Sequence, residues 1–390
     1  MNLKAHGRSD VGLNKASNED AFLINEKLGV FIVCDGNGAE NSGDIAAKMA
    51  INETLKFLKE ESQFLEDCRL SKFDDDTIFK FVSDAIRNAC KVINENSNLF
   101  PEYRNMSSTI TMAITMGSRM LICNVGDSRA YLVSDSGAHL LSEDHTLVKD
   151  FVKKGLINSE TDAPGFMQDI LTRSLGKYNS VEVDCVMVPV NEGDKIVLCT
   201  DGISDYLAEP SELHDLIYYA KNSEVQLNNI IGNSLRNRGC DNATAIIIEI
   251  TKHEDKFQLW GECQIIELLQ ACEIFEDLSI SELSRMRSHL LLKSCYKNDS
   301  IVKACEKYKG FYLILDGGIM ANGELKVRGD YIGLKSLLQN EYSANTKVAV
   351  KDTKMILFKK SRFEKFSKRY PWIANKIINN IISIDNLLEV

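Results

Sequence analysis

Three aspartates in this chain follow or abut a short apolar run: Asp35 after Val30 to Cys34, Asp127 after Leu121 to Val125, and Asp201 after Ile196 to Thr200. Short apolar runs closed by turn residues read as buried strands. The fold must therefore carry several buried strands toward a common end. Carboxylates gathered there repel one another unless cations neutralise them. An all-oxygen cluster selects a hard divalent ion, Mg²⁺ or Mn²⁺, over zinc. Further acids sit in Asn18-Glu19-Asp20 and in Asp241-Asn242, more than half the chain away.

A length of 390 residues predicts two domains, and 44% hydrophobic with 26% charged residues is an ordinary globular composition. No apolar run is long enough for a membrane span, and no signal-peptide core precedes the first strand. The eleven cysteines lie mostly in apolar runs, and none are spaced Cys-x-x-Cys, so reduced core thiols and a cytoplasmic location are expected. A formal net charge of −10 argues against a nucleic-acid partner. The acidic excess belongs to the first two thirds of the chain; residues 253–390 are slightly basic.

Helical spacing marks Ser42 to Lys59 and Asp75 to Asn96, where Ile78, Val82, Ala85, Ile86, Ala89 and Ile93 recur at threes and fours. Strands are expected at Thr109 to Met116, Met120 to Val125, Ala130 to Val133, Val181 to Val188, Lys195 to Cys199 and Ala243 to Ile250. Helices are expected at Pro210 to Ala220 and Val225 to Arg238. This order suits two stacked sheets flanked by helices. Residues 252–261 open on a charged segment and read as a linker. Beyond it, Ile265 to Cys272 and Ser281 to Leu291 look helical, with Ser279 or Ser281 as a cap. A strand at Phe311 to Leu315 follows, and Pro371 should kink or divide a helix over Ser361 to Asn380.

The ordered set Gly12 to Asp20, Val33 to Gly38, Ser107-Ser108-Thr109, Asn124 to Ala130, Asp144-His145 with Leu171 to Gly176, and Cys199 to Gly202 with Asp241 to Thr244 resembles the bacterial metal-dependent type 2C serine/threonine protein phosphatases. The resemblance implies an α+β fold, a four-layer α/β/β/α sandwich over residues 1–251. It implies hydrolysis of phosphoserine and phosphothreonine in proteins, by a water bridging two Mg²⁺ or Mn²⁺ ions and without a phosphorylated enzyme. Asp35 would bridge the ions and the Gly36 carbonyl would ligate one. Asp201 and Asp241 would complete one shell, and Glu19 and Asp20 would serve the other ion. Asp127 either holds a third ion or is a turn aspartate bonded to Ser128 or Arg129. His145 is expected to order its loop, and Arg173 to pair with a buried acid. Lys15 stands where the family usually has an arginine gripping substrate phosphate; a lysine offers a point charge in place of a planar fork. Asn37 stands where some members carry a histidine. The implied partner is a phosphoprotein, with the enzyme countering a serine/threonine kinase. Two other readings are a weakly active or inactive phosphatase-fold regulator and an enzyme for small phosphorylated molecules.

Residues 262–390 resemble the cyclic nucleotide-binding family, a smaller β jelly roll flanked by helices, through Ser281-Glu282-Leu283, Gly310 to Gly317, Gly329 to Gly333 and Arg362-Phe363. Leu334 and Ser343 replace the glutamate and arginine that hold ribose and cyclic phosphate. Losing such charge-assisted contacts costs about 1.5–3 kcal/mol each, so ordinary cAMP or cGMP is not the expected ligand. An unknown small molecule, a docking partner or a dimer contact at residues 262–385 remains open. The basic stretch Lys359, Lys360, Lys365, Lys368, Arg369 is either a contact for the acidic half or a solvated helix face.

Overall fold

The apolar runs are strands, and alternate residues along them face two different layers. In the computed structural model, described for all residues except 40–41, 71, 165–166, 253–261 and 389–390, the chain divides into two compact units, Met1–Phe257 and Gln258–Val390. The expected linker, apart from Lys252, lies outside the described residues.

The first unit runs β1 (Asn2–Asp10), β2 (Asp20–Asn25), β3 (Val30–Asn37), α1 (Gly43–Glu60), α2 (Ser62–Arg69), α3 (Asp75–Leu99), β4 (Ser107–Ser108), β5 (Ile110–Met116), β6 (Arg119–Val125), β7 (Arg129–Ser134), β8 (Gly137–Leu140), α4 (Leu147–Lys153), β9 (Asp184–Pro189), β10 (Lys195–Cys199), α5 (Asp201–Ser204), α6 (Pro210–Tyr218), α7 (Ser223–Arg236) and β11 (Ala243–Lys252). Two sheets result. One has the order β1-β11-β10-β7-β8, the other β2-β3-β5-β6-β9 with β4 paired to β3. Every pairing between these strands is antiparallel.

Val30, Ile32 and Cys34 of β3 pack with Met112 and Ile114 of β5 under Ala46 and Ala50 of α1 and Val82 and Ile86 of α3. The strand period of two turns Phe31 and Val33, both fully buried, to the opposite face. In the other sheet Val197, Cys199, Ala245 and Ile247 pack under Leu213, Ile217, Ile230 and Ile231 of α6 and α7. The intervening Ile196, Leu198, Ile246 and Ile248 are buried on the other side. The layers are therefore helix, sheet, sheet, helix. Each fully buried aliphatic side chain contributes about 1.5–3 kcal/mol relative to exposure. Asp74 caps α3, its Oδ1 accepting from the Thr77 N–H at 3.0 Å.

The expected elements recur with small shifts. β9 begins at Asp184 and not at Val181, because the Val181 carbonyl accepts from Arg87 Nε of α3 at 3.2 Å. Four strands of this unit, β1, β2, β4 and β8, were not anticipated.

The second unit contains α8 (Glu262–Gln270), α9 (Ile280–Arg287), β12 (Leu291–Cys295), β13 (Ser300–Val302), β14 (Gly310–Asp316), β15 (Ile319–Ala321), β16 (Glu324–Lys326), β17 (Tyr331–Ile332), β18 (Lys347–Ala349), β19 (Thr353–Lys359), α10 (Lys360–Arg369) and α11 (Pro371–Leu388). Its strands form two four-stranded sheets, β12-β19-β14-β17 and β13-β18-β15-β16. Ser279 caps α9 reciprocally: its Oγ accepts from the Glu282 N–H at 3.2 Å, and Glu282 Oε2 accepts from the Ser279 N–H at 2.8 Å. The helix stops at Arg287, short of the Leu291 expected from the sequence, and Leu291 opens a strand instead. Pro371 divides the last helical stretch, sitting at the first position of α11, where its missing N–H is harmless.

Candidate metal centre

Asp35 lies near the end of β3, directly opposite Asp20 in the β2–β3 ladder. The Ser-Ser-Thr segment fixes its backbone. Thr109 Oγ1 accepts from the Asp35 N–H at 2.9 Å, the Thr109 N–H donates to the Asp35 carbonyl at 2.8 Å, and Ser108 Oγ donates to that carbonyl at 3.1 Å. Gly36 and Gly43 pack backbone against backbone. A Cβ on Gly36 would stand 1.9 Å from the Gly43 carbonyl oxygen, and one on Gly43 would stand 2.5 Å from the Gly36 carbonyl oxygen. Glycine is therefore required at both. Glu19 closes this corner: its carbonyl accepts from the Gly36 N–H at 3.2 Å and its Oε1 from the Gly43 N–H at 3.2 Å.

The other sheet delivers Asp201 at the first turn after β10 and Asp241 just before β11. Asn242 joins the two regions, accepting from the Glu19 N–H at 2.8 Å while donating to the Val11 and Ser17 carbonyls at 2.9 and 3.0 Å. Lys15 Nζ sits 2.6 Å from Asp241 Oδ1. Burial pulls the Lys15 ammonium down, but the bonded Asp241 carboxylate, with Asp35 and Asp201 beyond, leaves it above its usual value.

Lys15, Glu19, Asp35, Gly36, Asp127, Asp201 and Asp241 line one cleft of about 360 Å³, together with Asn37. Asp20 does not line it. It is buried behind the wall, with Oδ2 accepting from Thr200 Oγ1 at 2.8 Å and Oδ1 without a partner among the described residues. Asp169 and Asp205 also line the cleft, and the sequence reading had missed both. Asp205 falls one helical turn after Asp201, a spacing that would have placed the two carboxylates on one face.

Burial, reinforced by neighbouring carboxylates, raises the pKa of Asp20, Asp35, Asp127, Asp201 and Asp205. Asp35 is raised well above the carboxylate range, by burial first and then by Asp201, Asp20, Asp127 and Asp241. Asp201 is raised by burial and Asp241. Burial carries Asp20 to about 7 against hydrogen bonds from Thr244 and Thr200. Burial and Asp201 carry Asp127 to about 8 and Asp205 to about 7.

Asp127 takes neither of the partners considered for a turn aspartate. Ser128 Oγ bonds Thr109 Oγ1 at 2.8 Å, and Arg129 clamps Asp144 with Nε–Oδ1 at 3.0 Å and Nη2–Oδ2 at 2.8 Å. His145 orders the Gly126 turn, its Nδ1 accepting from the Gly126 N–H at 3.1 Å and its own N–H donating to the Gly126 carbonyl at 2.9 Å. Arg173 reaches Asp184 at 3.3 Å and the exposed Glu182 at 2.7 Å.

Among the described residues, no three acids, histidines or cysteines already close around a single ion-sized point. The carboxylates form a lined cleft and not a finished cage. The donor set nonetheless suits hard divalent ions. It is all oxygen, its acids are destabilised by each other, Asp20 Oδ1 is buried and unpaired, and the Gly36 carbonyl lies in a backbone cradle that a side chain would fill.

The chain is similar to known proteins over this region. It is 29% identical over 254 residues to the serine/threonine phosphatase stp of Listeria welshimeri, spanning 63% of this chain and 96% of that protein. It is 26% identical over 256 residues to the serine/threonine protein phosphatase PstP of Mycobacterium tuberculosis, spanning 65% of this chain and 46% of that one. The crystal structure of M. tuberculosis PstP/Ppp superposes with a TM-score of 0.55 at 25% identity, covering 64% of this chain and 99% of that structure. A PstP catalytic domain solved in complex with two manganese ions shares the fold, with a TM-score of 0.54 at 24% identity, covering 64% of this chain and 99% of that structure. The model of the protein phosphatase 2C family matches residues 11–227, more than half of the chain, and this protein belongs to that family.

Proposed function

We propose that the cleft hydrolyses phosphoserine and phosphothreonine in proteins with a pair of Mg²⁺ or Mn²⁺ ions. The observation that carries this reading is the meeting in one cleft of Glu19, Asp35, Asp201 and Asp241, residues drawn from both sheets and more than 200 positions apart, beside a lysine. Asp35, the Gly36 carbonyl, Asp201 and Asp241 would hold the ions, with Glu19 directly or through water, and Asp127 beside a third. Asp20, behind the wall, would act through ordered water. The ions supply Lewis-acid activation of water and neutralise phosphate charge. Lys15 holds the substrate phosphate as a point charge, and Asn37 cannot serve as a proton donor to the leaving group.

The full-length protein should release phosphate from a phosphothreonine peptide only with added Mn²⁺ or Mg²⁺, and a chelator should stop it. Turnover that ignores the chelator would refute the metal assignment. A folded, metal-loaded protein with no turnover would favour the second reading, a phosphoprotein-binding regulator.

For residues 262–390 we infer a cyclic nucleotide-binding-like module used for regulation or docking. Two four-stranded antiparallel sheets with flanking helices support it. Leu334 and Ser343 are both buried, Ser343 Oγ donating to the Asn345 carbonyl at 2.7 Å. Neither offers the charge that ordinary cyclic nucleotides need. A phosphoprotein made by a serine/threonine kinase is the proposed partner of the first unit.

A further inference from the structure

We propose that Lys15 competes with one metal ion for Asp241. Its ammonium holds this carboxylate until an ion takes it, and the displaced side chain then receives the substrate phosphate. Ion uptake and phosphate binding are thereby coupled through a single side chain, and each favours the other. This coupling rests on the metal-binding role proposed for the cleft.

Asp241 Oδ1 is a crowded oxygen. It stands 2.6 Å from Lys15 Nζ and accepts from the Asn242 N–H at 2.8 Å. Two donors take up what one carboxylate oxygen ordinarily accepts. An ion that reaches Asp241 through Oδ1 must therefore displace Lys15. An ion that uses Oδ2 meets a positive charge across the same carboxylate, and like charges that close repel. By either route the Lys15–Asp241 pair and a bound ion oppose each other.

The backbone leaves only the side chain free to answer. The loop carrying Lys15 is stitched to the segment before β11 on both sides of that residue. The Leu13 N–H donates to the Gly239 carbonyl at 2.8 Å, and Asn14 Nδ2 donates to Cys240 Sγ at 3.4 Å. Asn242 Nδ2 holds the Val11 and Ser17 carbonyls. Gly12, at φ +77°, lies so close that a Cβ there would stand 2.2 Å from the Asp241 carbonyl oxygen. Lys15 itself is exposed, on a flexible four-carbon stem. Once off Asp241 its ammonium stays over the cleft, where it is the one basic group among the described lining residues.

The test is calorimetric titration of the chelator-stripped full-length protein with Mn²⁺, with and without inorganic phosphate. Lys15→Met should bind Mn²⁺ roughly tenfold tighter than the native chain, and Lys15→Arg, which keeps the charge, should stay within about threefold of it. In an Asp241→Asn background, Lys15→Met should change the remaining Mn²⁺ affinity by less than about twofold. Unchanged affinity in Lys15→Met, or the same tightening in the Asp241→Asn background, overturns the competition and leaves the metal centre standing. A native chain that binds no Mn²⁺ overturns both. Phosphate should tighten Mn²⁺ binding more in the native chain than in Lys15→Met; equal gains would overturn the handover of Lys15 to phosphate.

Discussion

At Asp20 the fold buries a carboxyl beside other acids, leaves one oxygen unpaired, and still bonds the other to Thr200. Such an arrangement costs stability unless a cation or a proton answers it. Asp201→Asn should therefore lower phosphatase turnover by roughly a hundredfold or more, on the order of 3 kcal/mol, without lowering the melting temperature of chelated protein. A variant with full turnover would strike Asp201 from the ligand set. Gly36→Ala places a methyl 1.9 Å from the Gly43 carbonyl oxygen. It should cost roughly 1–3 kcal/mol by overpacking and abolish metal-dependent activity; thermal denaturation and a turnover assay check both. Lys15→Ala should raise KM for a phosphopeptide about tenfold, and Lys15→Arg should lower it below the native value, because a guanidinium grips phosphate with two parallel donors.

Among the elements, the strands that carry acids were legible because each is a run of four or five apolar residues ending at a turn, as in β3, β6 and β10. β1 escaped because it has no such run. Lys4, His6 and Arg8 are exposed and alternate with half-buried Leu3, Ala5 and Gly7, and the strand is recognised only through its pairing with β11. The same logic divides the site. Asp35, Asp201 and Asp241 stood out beside apolar strands, whereas Asp169 belongs to an irregular segment without periodicity and gave no signal. Arg129 was weighed as one partner for Asp127; the acid it does clamp, Asp144, is 15 residues away and was invisible to local spacing. Helix α9 was legible from its capping residues. Ser279→Ala should destabilise the second unit by about 1 kcal/mol, measured by chemical denaturation, with no change in KM at the cleft.

Over the whole molecule, each compact unit carries its own apolar core, one set around α1, α3, α6 and α7 and another around Phe275, Phe311, Phe358 and Phe366. Metal-free protein should show a distinctive pH response that originates in the first unit. A carboxyl held at about 7, such as Asp20 or Asp205, binds its proton more tightly folded than unfolded. Stability should then fall as pH rises from the ordinary carboxylate range near 4 through about 7, instead of rising. Melting curves of chelated protein at pH 6 and pH 8 test this, the lower melting temperature being expected at pH 8. Added Mn²⁺ should remove the deficit, since a ligand selective for the folded chain stabilises it.

The most direct measurement is a calorimetric titration of the chelator-stripped full-length protein with Mn²⁺. The account predicts at least two ions bound per chain, with protons released as they bind, and loss of this binding in Asp35→Asn. A native-like protein that takes up no Mn²⁺, or an Asp35→Asn variant that binds it as well as the native chain, would contradict the claim that these carboxylates form a metal centre.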